Sequence, residues 1–104
     1  MSVAASVREH GATARPRLVF FFAKASGRSR RVEGYLSQVL QRRRNHESFH
    51  VVKVDVDEHA ELADRFAIQE LPTLVVVEDK RVRARLETPR GCRDIEGLLA
   101  PWLR

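Results

Sequence analysis

Cysteine is nearly absent from this sequence, since Cys92 is the only one among 104 residues. A single cysteine excludes a disulfide within the chain and is typical of a reducing compartment. Long apolar runs are also absent, so no stretch is long enough to span a bilayer. The segment that starts at Met1 lacks the hydrophobic region of a secretory signal. We therefore expect a cytoplasmic protein that does not associate with a membrane.

Positive charge is in excess, with 19 Lys and Arg against 14 Asp and Glu and a formal net charge of +5. Such a balance permits contact with nucleic acid or with an acidic partner. Arg42–Arg44 and the alternating Arg81, Arg83 and Arg85 carry the nucleic-acid hypothesis. Single-strand recognition usually adds exposed aromatic side chains, and neither segment is interleaved with any. A solvated arginine-rich surface is the simpler interpretation, and a nucleic-acid binder stays the least favoured alternative.

Length and hydrophobic content predict one domain over 1–104, in which 1–16 form an N-terminal helix and a lead segment. Apolar periodicity then separates helices from strands. The predicted elements are a helix over 2–10, a strand over 17–23, a helix over 28–44 that ends near Asn45, a strand over 49–56, a helix over 58–66 capped by Asp57, strands over 73–77 and 81–87, and a helix over 93–103. We place Arg42–Arg44 in the last turn of the second helix. The predicted core includes Leu62, Phe66, Val75 and Leu99.

Two segments of this pattern carry a resemblance to a known family. Phe20–Arg31 is an apolar strand followed by a small-residue turn and the start of a helix, and Glu70–Val77 contains a proline just before an apolar strand. Both segments resemble the thioredoxin family, and the order of the predicted elements matches that family over almost the whole chain, from Arg17 to Leu103. The resemblance implies an α/β thioredoxin fold with a central mixed sheet of about four strands flanked by helices. Because the lead before Arg17 is short, the usual N-terminal edge strand is expected to be missing.

The resemblance also implies a loss of the family's redox chemistry. Ser26 and Ser29 stand where the family carries its Cys-X-X-Cys pair, and Arg28 replaces the proline between the two cysteines. Phe20 aligns with the family's buried acid. A serine hydroxyl ionises far above neutral pH and forms no disulfide, so neither residue can replace a reactive thiolate. We assign no catalytic residue, cofactor or metal, and a protein without enzymatic activity is favoured.

Pro72 is the part of the family pattern that is retained. The resemblance implies a cis Leu71–Pro72 bond that faces the Ser26 turn and a groove in which backbone groups at Thr73 pair with a peptide. The predicted binding surface comprises Ser26, Gly27, Arg28, Ser29, Leu71, Pro72, Thr73 and Thr88. Arg28 would make this groove favour acidic sequences. The alternative is that Pro72 only shapes the start of a central strand.

Three further hypotheses come from individual residues. Cys92, in the loop over 88–94, has Arg90 and Arg93 beside it, which would favour a thiolate for mixed-disulfide or redox-sensing chemistry. The helix start at Ser26–Arg31 would suit an anion, although serine capping with solvated arginines explains the same residues. The acidic run Asp55–His59 offers no second ligand group at a metal-site spacing, and helix capping accounts for it.

Together these observations favour a thioredoxin-like adaptor or chaperone-like protein that binds a protein or peptide of unknown identity. The first alternative is a thiol protein that uses Cys92. The second is an arginine-driven nucleic-acid binder.

Overall fold

A computed structural model describes residues 15–42 and 48–103. These residues form four strands and three helices in a β-α-β-α-β-β-α order. The elements are β1 (Arg17–Phe22), α1 (Gly27–Gln41), β2 (His50–Asp55), α2 (Ala60–Arg65), β3 (Thr73–Glu78), β4 (Arg81–Glu87) and α3 (Cys92–Leu99). The helix predicted over 2–10, together with Arg43, Arg44 and Asn45, lies outside the described residues.

The strands form one mixed sheet in the order β2-β1-β3-β4. β1 runs parallel to β2 and antiparallel to β3, and β3 pairs antiparallel with β4. A parallel pair needs a long crossover, and α1 supplies it between β1 and β2. β3 and β4 are joined by a two-residue turn at Asp79 and Lys80, both with positive φ, as expected for a tight hairpin. The predicted mixed four-stranded sheet with flanking helices is confirmed for the described part of the chain.

The core lies on both faces of this sheet because successive strand residues point in opposite directions. Leu18 and Phe20 pack with α1 and α3 on one face, in a cluster that includes Val32 and Ile95. Val19 and Phe21 belong to the cluster on the other face, which also contains residues of α2 and its C-terminal end. Both faces of β1 are therefore covered by helices, and β1 is buried through its centre.

The predicted core residues are buried with one exception. Leu62, Val75 and Leu99 have no solvent exposure. Phe66 is only half-buried, because it follows the last residue of α2 and lies at the margin of its cluster, where its ring meets Phe21 at 5.3 Å between centroids. The prediction that Phe66 is buried was therefore too strong.

The start of α2 differs from its prediction. α2 begins at Ala60, its N-cap position is His59, and no side chain caps it. Asp57 was predicted as this cap, but the Asp57 backbone N–H instead donates to the carboxylate of Asp55 at 2.9 Å. That bond holds the chain in a turn after β2, so the helix starts later and the Asp57 prediction is wrong.

The ends of the other two helices also differ from their predictions. α1 stops at Gln41, and Arg42 is its extended C-cap residue rather than part of its last turn. The Arg42 guanidinium instead pairs with Glu96 on α3. α3 begins one residue earlier than predicted, at Cys92. It ends at Leu99, and residues 100–102 form turns. Pro101 has no N–H to donate, which explains the early end. None of the helices in the described ranges is long and apolar enough to cross a bilayer.

Candidate functional site

Three segments lie together at one end of the sheet. We name them the serine turn (Ser26–Ser29), the cis-proline loop (Leu71–Thr73) and the Thr88 loop (Thr88–Arg90). The serine turn follows the C-terminal end of β1, whose residue Phe21 is paired with Thr73 at the start of β3. Thr73 is also paired with Glu87, the last residue of β4. The sheet register therefore brings the three segments to the same end of the sheet, as the resemblance implies.

In the serine turn both serines form hydrogen bonds that fix the start of α1. The Ser26 hydroxyl oxygen accepts from the Ser29 backbone N–H at 3.1 Å, so Ser26 is the side-chain cap of the helix. The Ser29 hydroxyl oxygen accepts from the Ala23 backbone N–H at 3.3 Å, and Ser29 is buried. Both hydroxyl oxygens, at the positions that the resemblance aligns with the family's two cysteines, thus accept backbone hydrogen bonds.

The surroundings of the serine turn are apolar on the sheet side. Phe20 is 1% exposed and stacks on Phe22 with 5.4 Å between ring centroids. An aromatic ring can neither take up nor release a proton. Phe20, which the resemblance aligns with the family's buried acid, therefore contributes only to the packing of the core.

The cis-proline loop has the conformation implied by the resemblance, because the Leu71–Pro72 peptide bond is cis. Pro72 is buried, Leu71 is half-buried, and the Thr73 hydroxyl donates to the Glu70 carbonyl oxygen at 2.6 Å. The prediction that Thr73 offers free backbone groups is wrong. Thr73 has no solvent exposure, since β1 and β4 flank it on both sides. Among the described residues, no hydrogen bond uses the backbone N–H or carbonyl of the neighbouring Leu71.

The Thr88 loop is joined directly to the cis-proline loop. The Thr88 backbone N–H donates to the Pro72 carbonyl oxygen at 2.8 Å. Thr88 has φ of 43°, a left-handed conformation that is unfavourable for a β-branched residue. Strain of this kind persists only where surrounding contacts impose it, and it is concentrated at functional sites. Thr88 was predicted as a site residue from the resemblance alone, and its strained backbone could not be recognised in the sequence.

An open cleft of about 320 Å³ separates the Thr88 loop from the first half of α1. Its α1 wall is formed by Arg28, Arg31, Val32 and Tyr35, and its other wall by Thr88, Pro89 and Arg90. We call this feature the arginine cleft, after Arg28, Arg31 and Arg90. Of the three, only Arg28 belonged to the predicted surface, because the approach of Arg31 and Arg90 depends on tertiary packing.

Gly27 is exposed at the mouth of the serine turn. A Cβ built on Gly27 would meet no atom within 4 Å. The chain therefore has no steric need for glycine here, and a larger side chain would find open space next to the serine turn.

Cys92 was predicted to lie in the loop before the last helix. It is the first residue of α3 rather than a loop residue, and its thiol is half-buried. The sulfur lies 3.7 Å from the Tyr35 carbonyl oxygen and 3.2 Å from Gln38 Oε1. Tyr35 is about two and a half helical turns beyond Ser26, or about 13 Å along the helix axis. The thiol thus faces the middle of α1 and is separate from the serine turn.

The acidic run after β2 is occupied by local contacts. The buried carboxylate of Asp55 lies 3.7 Å from Lys24 Nζ, which also approaches Glu58 at 3.4 Å. His59 Nδ1 lies 3.7 Å from a carboxylate oxygen of Glu61. Within the part of the chain that the structure describes, no three metal-binding side chains come together.

The β4 arginines do not act as one patch. Arg85 donates to the carbonyl oxygens of Phe66 and Ala67, at 2.9 and 3.2 Å, and thereby satisfies the C-terminal end of α2. Arg83 is 4.0 Å from Glu78, and Arg81 is exposed. One of the three side chains that suggested a nucleic-acid surface is therefore engaged in the fold.

The thioredoxin family model matches residues 5–101 of this chain. A comparison with curated proteins finds no match in sequence. Solved structures of similar fold include the germline-specific thioredoxin Deadhead of Drosophila melanogaster, with a TM-score of 0.76 and 22% identity over 88% of this chain and 85% of that one. Plasmodium falciparum thioredoxin has a TM-score of 0.77 and 19% identity over 94% and 88%. Desulfothioredoxin of Desulfovibrio vulgaris Hildenborough has a TM-score of 0.73 and 22% identity over 89% and 90%.

Proposed function

The chain belongs to the thioredoxin family, and we propose that it acts as a peptide- or protein-binding member without dithiol chemistry, in an adaptor or chaperone-like role. One observation carries this proposal. The hydroxyl oxygens of Ser26 and Ser29, which the resemblance aligns with the family's two cysteines, accept backbone hydrogen bonds, and the Leu71–Pro72 bond of the cis-proline loop is cis. These features support a loss of dithiol chemistry together with a retained peptide-binding surface.

The absence of sulfur decides against disulfide exchange at this turn. Exchange requires a thiolate that attacks a disulfide sulfur and a second thiol that resolves the mixed disulfide. Ser26 and Ser29 provide neither group, and Phe20 provides no proton acceptor in the strand below.

The proposed contact with a peptide is made by the backbone of Leu71. Its N–H and carbonyl take no partner among the described residues, and an extended segment could pair with them as an added strand does. The proposed surface also includes Ser26, Arg28, Pro72 and Thr88, whose segments the sheet register brings to the same end of the sheet. Gly27 is exposed, and an added Cβ there would meet no atom within 4 Å. Thr73 and Ser29 support this surface from below, since both are buried.

A substitution pair can test this face. Gly27 and Gly34 both belong to α1, both are exposed, and an added Cβ meets nothing near either one. Peptides selected from a random display library should bind the native chain, and Gly27→Trp should weaken that binding by about tenfold or more, which is about 1.4 kcal/mol. Gly34→Trp should leave it unchanged. Equal binding by all three proteins would place the peptide elsewhere, and failure to select any peptide would reject the proposed function.

Cys92 chemistry remains the competing hypothesis, and the same measurement addresses it. Cys92→Ser should bind the selected peptides as the native chain does, because the thiol faces Tyr35 and Gln38 instead of the serine turn. If Cys92→Ser no longer captured the peptides, and the native chain captured them only under oxidising conditions, the result would favour mixed-disulfide formation.

We also propose a cytoplasmic location, on the basis of the single cysteine. Fluorescence microscopy of a tagged full-length chain in its native host tests that assignment.

A further inference from the structure

We propose that the arginine cleft is a carboxylate-binding subsite that selects peptides with acidic residues. This inference rests on the proposed function for the source of the carboxylate, and it adds the chemistry that the partner must have. It depends on three cationic side chains that the tertiary structure brings to one opening.

The three guanidinium groups come from two separate elements. Arg28 and Arg31 are three residues apart on α1, so they project from the same side of the helix. Arg90 lies on the Thr88 loop across the cleft. A group that enters between the two walls thus meets cations from both sides. Guanidinium groups suit carboxylates because their planar N–H donors match two carboxylate oxygens.

Among the described residues, these three arginines form no ion pair. Other basic side chains do: Lys24 approaches Asp55 and Glu58, Lys53 pairs with Glu33, and Arg42 pairs with Glu96. The nearby carboxylate of Asp94 accepts from the Arg90 backbone N–H at 2.9 Å, so it is directed to the loop backbone. The cleft therefore gathers positive charge and supplies no counter-charge of its own.

The placement of these charges is unfavourable for the isolated protein. The first turn of α1 contains no acidic residue, and the positive end of a helix dipole disfavours cations. Like charges brought into one cleft repel each other as well. A bound anion relieves both effects, so the cleft should bind carboxylates and be stabilised by them.

The shape of the cleft favours single side chains from a peptide. Its volume of about 320 Å³ is small, and Val32 and Pro89 give it apolar walls beside the cations. It contains one aromatic residue, the half-buried Tyr35, whereas nucleic-acid channels combine a cationic track with stacking aromatics. Thr88 borders the cleft and bonds to Pro72, so a peptide lying along Leu71 can place a neighbouring side chain among the arginines.

The test uses two matched probes with the full chain, an octapeptide of glutamate and an octapeptide of glutamine. The glutamate probe should shift backbone amide signals of Arg28, Arg31, Tyr35, Thr88 and Arg90, and its affinity should fall as salt is added. The glutamine probe should bind at least about tenfold more weakly, because it offers no charge-assisted hydrogen bond.

A pair of triple variants distinguishes the effect of the cleft arginines on binding from the effect of the protein's net charge. Arg28→Gln, Arg31→Gln and Arg90→Gln together should reduce binding of the glutamate probe by about tenfold or more. Arg65→Gln, Arg81→Gln and Arg83→Gln remove the same charge from exposed positions outside the cleft and should have little effect. Amide shifts of the native chain test the same point without any substitution.

Several outcomes overturn the inference. Equal binding of the two probes, equal losses in the two triple variants, or shifts outside the cleft would each reject it. Tighter binding of a single-stranded DNA octamer at the cleft would assign the charge to nucleic acid instead. If selected peptides bind at Leu71 without acidic residues, the proposed function stands and the subsite fails. If the glutamate probe binds the cleft but no selected peptide contacts Leu71, the subsite stands and the proposed function fails.

Discussion

The hydroxyl oxygen of Ser26 accepts a hydrogen bond from the backbone N–H of Ser29 at 3.1 Å. The two serines of this turn are thus linked through a helix cap. A serine oxygen is a strong acceptor for the exposed N–H groups at a helix start, and α1 has no acidic residue in its first turn to assist it. The turn has become a structural element, and its stability should depend on Ser26.

Removing this cap should lower stability. Ser26→Ala deletes the acceptor for the Ser29 N–H and should reduce the free energy of unfolding by about 0.5–2 kcal/mol, measured by urea denaturation. Ser37→Ala is the control, since Ser37 is exposed in the interior of α1. An unchanged midpoint for Ser26→Ala would show that water replaces the cap without loss.

The protein should not catalyse disulfide reduction. Neither Ser26 nor Ser29 supplies a thiolate, so insulin should not be reduced in an assay with thioredoxin reductase. The Cys92→Ser variant should give the same null result. Turnover that survives this substitution would contradict the assignment of the serine turn.

Restoring both sulfur atoms should restore a disulfide but little activity. Ser26→Cys and Ser29→Cys, made together with Cys92→Ser, should oxidise to one disulfide in a thiol titration. We expect weak reductase activity, because Phe20 leaves the buried position beside the turn without a proton acceptor. A pair that cannot be oxidised would contradict the correspondence of this turn with the family's Cys-X-X-Cys site.

The two core positions at α2 should differ in their sensitivity to truncation. Leu62 has no solvent exposure, so Leu62→Ala should cost about 2–5 kcal/mol. Phe66 is half-buried, so Phe66→Ala should cost less than about 3 kcal/mol although it removes more atoms. Chemical denaturation gives both values. The opposite order would mean that Phe66 is held more tightly than its exposure indicates.

Arg85 should contribute more to stability than the other β4 arginines. Its guanidinium bonds the carbonyl oxygens of Phe66 and Ala67, and Arg85→Ala should destabilise the fold by about 1 kcal/mol. Arg81→Ala, at an exposed position, should change stability by no more than about 0.5 kcal/mol. Equal effects in thermal or urea unfolding would show that the α2 end does not depend on Arg85.

The strands were more predictable than the helix ends. β4 has its predicted bounds, and β1 and β3 each differ by one residue, because period-two alternation and a tight turn are local properties. Helix ends depend on which nearby group satisfies the backbone. The Asp55 carboxylate accepts a hydrogen bond from the Asp57 N–H, and α2 starts after that turn. At the end of α1, Arg42 pairs with Glu96 of α3, which is distant in sequence.

Some features of the candidate site could also be predicted from the sequence, and others could not. Ser26, Ser29 and Pro72 could be identified because the family pattern is short and local. The burial of Thr73, the position of Cys92 against α1 and the positive φ of Thr88 could not. Each of these three features depends on contact with an element that is distant in sequence.

The sequence by itself determined which chemical groups are present: it has one cysteine, Ser26 and Ser29 in the serine turn, Phe20 in β1, and Pro72 before β3. These are properties of atoms, and folding cannot add a sulfur that the chain lacks. The tertiary structure decided which groups meet. It left the Leu71 backbone unpartnered among the described residues and placed Arg90 across a cleft from Arg28 and Arg31. Charges that are distant along the chain interact strongly only once packing has brought them within about 10 Å, because salt screens longer separations.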